Sequence, residues 1–318
     1  MQLYLKLYLE GFKMPGNHLD VPVLTDFRLP EGCDLTITFG AHASAADLGS
    51  PEVFGSALEA TDIFAPEVPG WNGASLDAYN KVARGNLSTR QKLLTGVNAR
   101  LDHGYGKAIV DGLYWHGRTV KVAFLDIPRG SLSESLFSVT EKQAELLVRW
   151  LPFDRVVDGM HELLVQMSVL NIRRENYILE NMATNIQQAI ASNPRLRNRS
   201  SVKIWMLMGA YHAAMGEVIL NRQRKVGMDS FSYTQEIHPG CEYSASKAFT
   251  EAYRFYGDNV RSEFAARVIA EEILRSQILA SETEPTGTQF EVAHKSLQAM
   301  TMDDLRGFYE QTRKEAKA

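Results

Sequence analysis

His42 and His212 are the residues in this 318-residue chain best placed to do chemistry. Each follows an apolar run and a glycine turn, in Leu35-Thr36-Ile37-Thr38-Phe39-Gly40-Ala41-His42 and in Ile204-Trp205-Met206-Leu207-Met208-Gly209-Ala210-Tyr211-His212. A neutral imidazole is a good ligand for Mn, Co or Zn. It is also a general base toward a water held by a carboxylate. The remaining reading is a histidine that only satisfies polar groups at a sheet edge, and two histidines in the same setting weigh against it. Glu67 follows Ile63-Phe64-Ala65 and sits between Pro66 and Pro69. If partly buried there it needs a metal, a histidine or an arginine as partner, and otherwise it is a loop carboxylate facing water. Asp126 closes an apolar run before Pro128, where a turn or capping role explains it as well as catalysis does. Arg173 and Arg174 are expected to open a helix, whose positive end disfavours cations. A carboxylate such as Glu67, or an anionic ligand, should compensate.

These residues need a scaffold that gathers strand ends. The runs 35–39 and 204–208 read as strands buried on both faces, and each glycine lets the chain turn into a helix close to the sheet. Further strands are expected at 63–65, from Thr119 to Pro128 and from Ser230 to Ile237. Leu3, Leu5, Leu7 and Leu9 alternate as a half-buried strand in a lead-in over residues 1–34. A helix capped by Ser44 should run to about Ala60. Three helices over 72–118 read as an inserted layer covering the site. A long helical stretch from Thr140 to Ser192 should break near Pro152 and again near Leu170, the second break placing Arg174 at a helix start. After a helix to about Arg224 with Gly227 as its C-cap, an amphipathic helix over 248–279 and a final helix from about Glu291 form a C-terminal extension, 241–318. Strands alternating with helices predict an α/β fold with a mostly parallel sheet in the core, 35–240. Parallel strands share a carboxyl end, so His42, Glu67, Asp126 and His212 should line one edge.

The composition narrows the function. The net charge is −4 and 45% of residues are hydrophobic, which suits a sizeable core and argues against a nucleic-acid groove. Arg195, Arg197, Arg199 and Lys203 read as a solvated loop entering a strand. The two cysteines share no metal-ligand spacing, the N-terminal segment lacks a signal-peptide pattern, and no window is apolar enough to span a membrane. The expectation is a cytoplasmic protein. Its long amphipathic C-terminal helices would suit a homodimer. His103, His116, His161, His238 and His294 lack supporting context.

In order, these motifs resemble the clan of the TraB/PrgY proteins, the Tiki proteases, the ChaN-like proteins and the erythromycin-esterase-like proteins. Gly209-Ala210-Tyr211-His212 matches the second Gly-x-x-His turn of that clan. Phe39-Gly40-Ala41-His42 matches the first with one residue fewer between glycine and histidine. Glu67 fits the acidic position after the second strand, and Asp126 has a looser counterpart. Arg174-Glu175 fits the Arg-acid pair of a late helix, with Met182-Ala183 as a rival register; this resemblance, not periodicity, selects Arg174 over Arg173. The resemblance covers roughly residues 35–240. It implies a hydrolase in which His42, Glu67 and His212 activate water on a peptide or ester. Arg174 would orient the acid or bind substrate charge, Asp126 would assist, and a divalent metal could sit on His42, Glu67 and His212. Its alternative is a non-enzymatic reading, a protein that binds metal, peptide or, behind these, haem. A third reading, an assembly protein acting through its C-terminal helices, needs no site.

Overall fold

The structure, a computed structural model, describes residues 29–40, 45–68, 71–95, 104–130, 151–209, 212–226, 231–237, 245–281, 292 and 295–315. Five strands form one sheet: β1 (Cys33–Gly40), β2 (Ile63–Ala65), β3 (Lys121–Val122), β4 (Val202–Gly209) and β5 (Phe231–Ile237). Their order is β3-β2-β4-β1-β5 and every pairing is parallel. The fold is therefore α/β, with a sheet that is parallel throughout the described residues. β1 and β4 run in register from Cys33 opposite Val202 to Gly40 opposite Gly209, so the two glycines that precede the histidines lie side by side at the carboxyl edge.

The helices are α1 (Pro51–Glu59), α2 (Gly73–Ala83), α3 (Leu87–Thr95), α4 (Tyr105–His116), α5 (Phe153–Ala191), α6 (Ala213–Val226), α7 (Ala245–Tyr256), α8 (Ser262–Ser281) and α9 (Met302–Glu315). One face of the sheet packs Leu35, Ile37, Ile204 and Met206 against Ile178, Met182 and Ile186 of α5 and Ile219 of α6. On the other face, Phe64, Val122 and Leu207 meet Phe54 and Leu58 of α1, Val82 of α2 and Leu113 of α4. A further apolar cluster joins Val156, Met160 and Leu164 of α5 to Phe249 of α7, Ile269 of α8 and Leu305 of α9. α5 thus serves two cores. Its 39 residues extend roughly 58 Å at the α-helical rise, enough to pass from one core to the other.

Several expectations change. α1 begins at Pro51, with Ser50 accepting the Val53 N–H, because Gly49 (φ +78°) and the proline reset the chain. Pro152 is the N-cap of α5, as the expected break there requires on its C-terminal side, but no break occurs at Leu170. Nothing between Val169 and Ala191 is proline or glycine, and both flanks of that stretch are packed, so the helix runs on. The amphipathic stretch over 248–279 is two helices, separated at Gly257 (φ +55°). Helix is present near Glu291, as expected, at 292 and 295–298, but it stops before Met300, and a separate α9 starts at Met302, where the Thr301 hydroxyl and the Asp304 carboxylate cap each other's N–H. β3 pairs over two residues only, since β2 has three and ends at Pro66. The lead-in strand over Leu3–Leu9, Ser44, Gly227, Cys241 and residues 140–150 lie outside the described residues.

Candidate functional site

Glu67, Asp126 and His212 follow β2, β3 and β4, three adjacent strands, so their side chains leave the same sheet edge within about 10 Å of one another. They converge on Arg174. Its Nε–H donates to Asp126 Oδ1 at 2.7 Å and one Nη2 hydrogen to Asp126 Oδ2, a bidentate pair. The other Nη2 hydrogen goes to Glu67 Oε1 at 2.5 Å. Nη1 lies 3.0 Å from His212 Nε2. Arg174, Asp126 and His212 are 5%, 1% and 2% exposed. Burial alone would push the guanidinium pKa down, but the carboxylates of Glu67 and Asp126 more than reverse this, and Arg174 stays charged.

Backbone groups fix both carboxylates. Glu67 Oε2 accepts the Gly209 N–H, and a Cβ on residue 209 would stand 3.3 Å from that oxygen, which is why a glycine suits the end of β4. Asp126 Oδ1 also accepts its neighbour's N–H, that of Ile127, at 2.7 Å, and the Asp126 carbonyl takes the Trp71 indole N–H at 2.6 Å. One Asp126 side chain thus both holds its own turn and pairs with Arg174.

His212 immediately precedes α6. On its far side Nδ1 lies 3.1 Å from Glu175 Oε1, and Arg254 of α7 donates to Glu175 Oε2. Arg174 is a donor only, so Nε2 must accept, and Nδ1 carries the proton toward Glu175. His212 is then the neutral Nδ1–H tautomer. Its Nε2 also lies 3.8 Å from Glu67 Oε1, a neighbour rather than a hydrogen-bond partner. Burial would raise the Glu175 pKa, but the His212 N–H and the Arg254 charge outweigh it and hold the carboxyl below its ordinary value.

Arg174 does not open a helix. It lies about twenty residues into α5, so the terminal-dipole argument does not apply. It stays charged because two carboxylates face it. Arg173, its neighbour, is exposed. Arg254 is a residue of this network that the sequence reading left out, and Glu175 entered it only as the acid of the Arg-acid pair, with no role of its own. Glu175 carried a signal: Ser168, Asn171, Arg174 and Glu175 continue, at three- and four-residue spacing, the stripe that Ile178, Met182 and Ile186 fill with apolar side chains. Polar residues at core positions of a stripe mark a buried polar site. Arg254 carried no local signal. The helices over 72–118 pack on a sheet face, and among the described residues the side chains that bond to the gathered set come from Trp71, α5 and α7.

His42 lies outside the described residues, as do His103, His238 and His294. His116 pairs with Glu59 at the surface, and His161 Nε2 sits 2.7 Å from the Val260 carbonyl. Among the described residues no three His, Cys, Asp or Glu side chains are grouped to hold a metal ion. The donors expected for one, Glu67 and His212 Nε2, already bond to Arg174, so a cation there would compete with the guanidinium. Of the basic cluster, Arg195, Arg197 and Arg199 lie in a loop, as expected, and Lys203 is already in β4; Arg195, Arg199 and Lys203 line an open cavity of about 350 Å³ at the opposite edge of the sheet, where Arg199 pairs with Asp62. Among the described residues no helix is long and apolar enough to cross a membrane. No protein-family model, curated protein or solved structure matches the chain.

Proposed function

We propose that the chain is a hydrolase in which His212 and Glu67, with His42 two residues beyond the end of β1 in sequence, position and activate a water against a peptide or ester carbonyl. The observation that carries this reading is the convergence of Glu67, Asp126 and His212 on one buried guanidinium at the carboxyl edge of a parallel sheet, where such folds bind ligands. The resemblance to the TraB/Tiki and erythromycin-esterase-like clan adds the reaction class. In this reading Arg174 holds the carboxylates apart and offers positive charge to a developing oxyanion, and Asp126 fixes Arg174 through its bidentate pair. His212 Nε2 becomes basic toward water once the imidazole exchanges its bond with Arg174 Nη1 for that water, which leaves Nη1 free to face the substrate. A divalent ion, Mn, Co or Zn, would require Arg174 to release Glu67 and Nε2, so water activation without a metal is the simpler form. The protein would act in the cytoplasm, as a homodimer if its amphipathic C-terminal helices pair.

Purified protein should be screened on ester, lactone and peptide substrates beside Glu67→Gln and His212→Gln variants that remain folded. Turnover lost at least 100-fold in both supports the reading. Turnover retained in either overturns it.

The second reading is a binding protein on the same fold. Its supporting observation is that the polar groups gathered at Arg174 are already paired with one another, as a site needs if it is to rest without a ligand. Metal content by mass spectrometry and a haem Soret band, with no turnover in the screen, would favour it.

A further inference from the structure

We infer that the protein has a second binding site, the cavity at the amino edge of the sheet: Arg195, Arg199 and Lys203 take the phosphate of a small phosphorylated polyol, such as a sugar phosphate, and Glu59, Thr61 and Asp62 take its hydroxyls. The inference does not rest on the hydrolase reading. The cavity, of about 350 Å³, opens where β2 and β4 begin, with Asp62 just before Ile63 and Lys203 second in β4. Its volume is at the low end of the usual range for small-ligand pockets, about 300–1,000 Å³. From Lys203 to Gly209 along β4 is roughly 20 Å at the strand rise, so a ligand here does not touch the groups gathered around Arg174.

Charge and a fixed rim suit the cavity to an anion. Residues 193–203 carry Arg195, Arg197, Arg199 and Lys203 and no acid, in a chain of net charge −4. Arg195, Arg199 and Lys203 line the cavity with the acids Glu59 and Asp62. Both acids are engaged. Asp62 Oδ1 accepts from Arg199 and its Oδ2 accepts the Lys203 backbone N–H at 3.0 Å, while Glu59 Oε1 lies 2.8 Å from His116 Nδ1. Among the described residues the charged ends of Arg195 and Lys203 meet no acid, so neither positive charge is matched. The rim needs little ordering on binding. Leu196 is buried, its N–H donates to the Asn193 carbonyl at 2.9 Å, and the Val202 N–H donates to the Gly32 carbonyl at 2.9 Å. Thr119 and Ser201 add hydroxyl donors to the lining. The rest of the lining selects the rest of the ligand. Among the described residues Ala60 and Leu196 are its only apolar members and none is aromatic, so there is no face on which a nucleobase could stack. The Glu59 carboxylate and the Thr61 hydroxyl, whose own hydrogen goes to the Ala57 carbonyl at 2.8 Å, are acceptors for polyol hydroxyls.

The test is calorimetric titration of the full-length protein, at neutral pH and low salt, with glucose 6-phosphate, ribose 5-phosphate and fructose 1,6-bisphosphate. Inorganic phosphate, glucose and adenosine monophosphate are titrated beside them. At least one sugar phosphate should bind at a single site with a Kd of about 1 mM or lower, and about tenfold or more tighter than any of the three comparison compounds. Arg195→Gln combined with Lys203→Gln should weaken it by about tenfold or more. Arg197→Gln makes the same kind of charge change outside the cavity, where Arg197 Nε donates to the Ala191 carbonyl, and should leave it in place. Glu67→Gln, at the other edge of the sheet, should also leave it unchanged. The inference is overturned if no sugar phosphate binds, or if phosphate or the nucleotide binds as tightly. It is overturned equally if Arg197→Gln weakens binding as much as the cavity variants do, or if Glu67→Gln abolishes it. The exposed side chains of Arg195 and Lys203 can be replaced without opening a core, and Arg195→Gln alone decides if the double variant does not fold. Failure of the hydrolase reading looks different: no substrate is turned over while these titrations behave as stated.

Discussion

Replacing Arg174 by methionine should destabilise the protein by about 3–5 kcal/mol at pH 7, the usual cost of removing one partner from a buried ion pair. Methionine fills much of the same volume, so the loss is electrostatic rather than a cavity effect. The side chain removed is 7% exposed and serves Asp126 at 1% and Glu67 at 13%. Asp126 keeps the Ile127 N–H and Glu67 the Gly209 N–H, neither of which carries the charge that Arg174 supplies. A second estimate bounds the first. A carboxylate can escape burial by taking a proton, which at pH 7 costs about 1.4 kcal/mol for each of roughly three units above its ordinary value, or about 4 kcal/mol. The two figures agree, and the second fixes the pH dependence. The folded variant binds a proton that its unfolded state does not, so its stability rises as pH falls. The gap to the native protein should shrink by about 1.4 kcal/mol per unit, to roughly 1–2 kcal/mol near pH 5. Urea unfolding followed by tryptophan fluorescence would measure this as a shift in midpoint at constant slope. Adding Asp126→Asn, which keeps an acceptor for Ile127, should recover part of the loss. A gap below 1 kcal/mol at pH 7, or one that does not change between pH 7 and 5, would refute the account of Arg174 as the counter-charge of both acids.

Glu175→Gln tests the other side of His212. The depressed folded-state pKa of Glu175 means that its stabilisation is complete above the ordinary glutamate value and is lost as pH falls through the folded one, so the variant should approach the native protein in acid. Unfolding midpoints from pH 7 to 3 would show a constant gap if this is wrong. Gly32→Ala should cost roughly 2–4 kcal/mol, because φ is +73° and a Cβ would stand 2.4 Å from the Ser200 carbonyl oxygen, a backbone atom with no side-chain freedom to move; a thermal shift of less than a degree or two would contradict the geometry. Cys33 is buried and its thiol is pushed up to about 11, so in the native protein it should resist alkylation at pH 8 and react only on unfolding. Peptide mapping after iodoacetamide treatment would reveal prompt labelling if the strand is open.

The parts of this fold that could be read from the sequence are those where one physical rule acts alone. Ile204 to Met208 is an unbroken apolar run because β4 is covered on both faces, and the glycine after it is required by the Glu67 oxygen that approaches its backbone. Glu67 could be placed at a strand end because Pro66 stops the ladder. The long helix was harder. A polar stretch at Asn171 to Glu175 looks like a helix boundary when only propensity is weighed, yet it is the point where α5 passes from one core to the other beside the buried charges. The spacing of Ser168, Asn171, Arg174 and Glu175 held that information, and the expected break at Leu170 hid it. Arg254 was not legible, because its role depends on how a later helix docks against α5. The same dependence explains why the residue reaching Glu175 from outside the sheet comes from α7 rather than from the helices over 72–118.

The place of β1 between β4 and β5 bears on how the chain is made. Both its ladder partners are synthesised late: Cys33 lies opposite Val202 on one side and Phe231 on the other. At about 5–20 residues per second, the ribosome delivers the first of them roughly 10–30 s after β1. Throughout that interval β1 has two open edges and a row of apolar side chains with no sheet to join, the kind of long-range parallel pairing that closes slowly. Nascent chains released or stalled near residue 200 should therefore bind holding chaperones and be cut by protease within β1. Chains stalled beyond about residue 260 should protect it, and protection already present near residue 200 would mean that β1 is covered before either ladder partner is made.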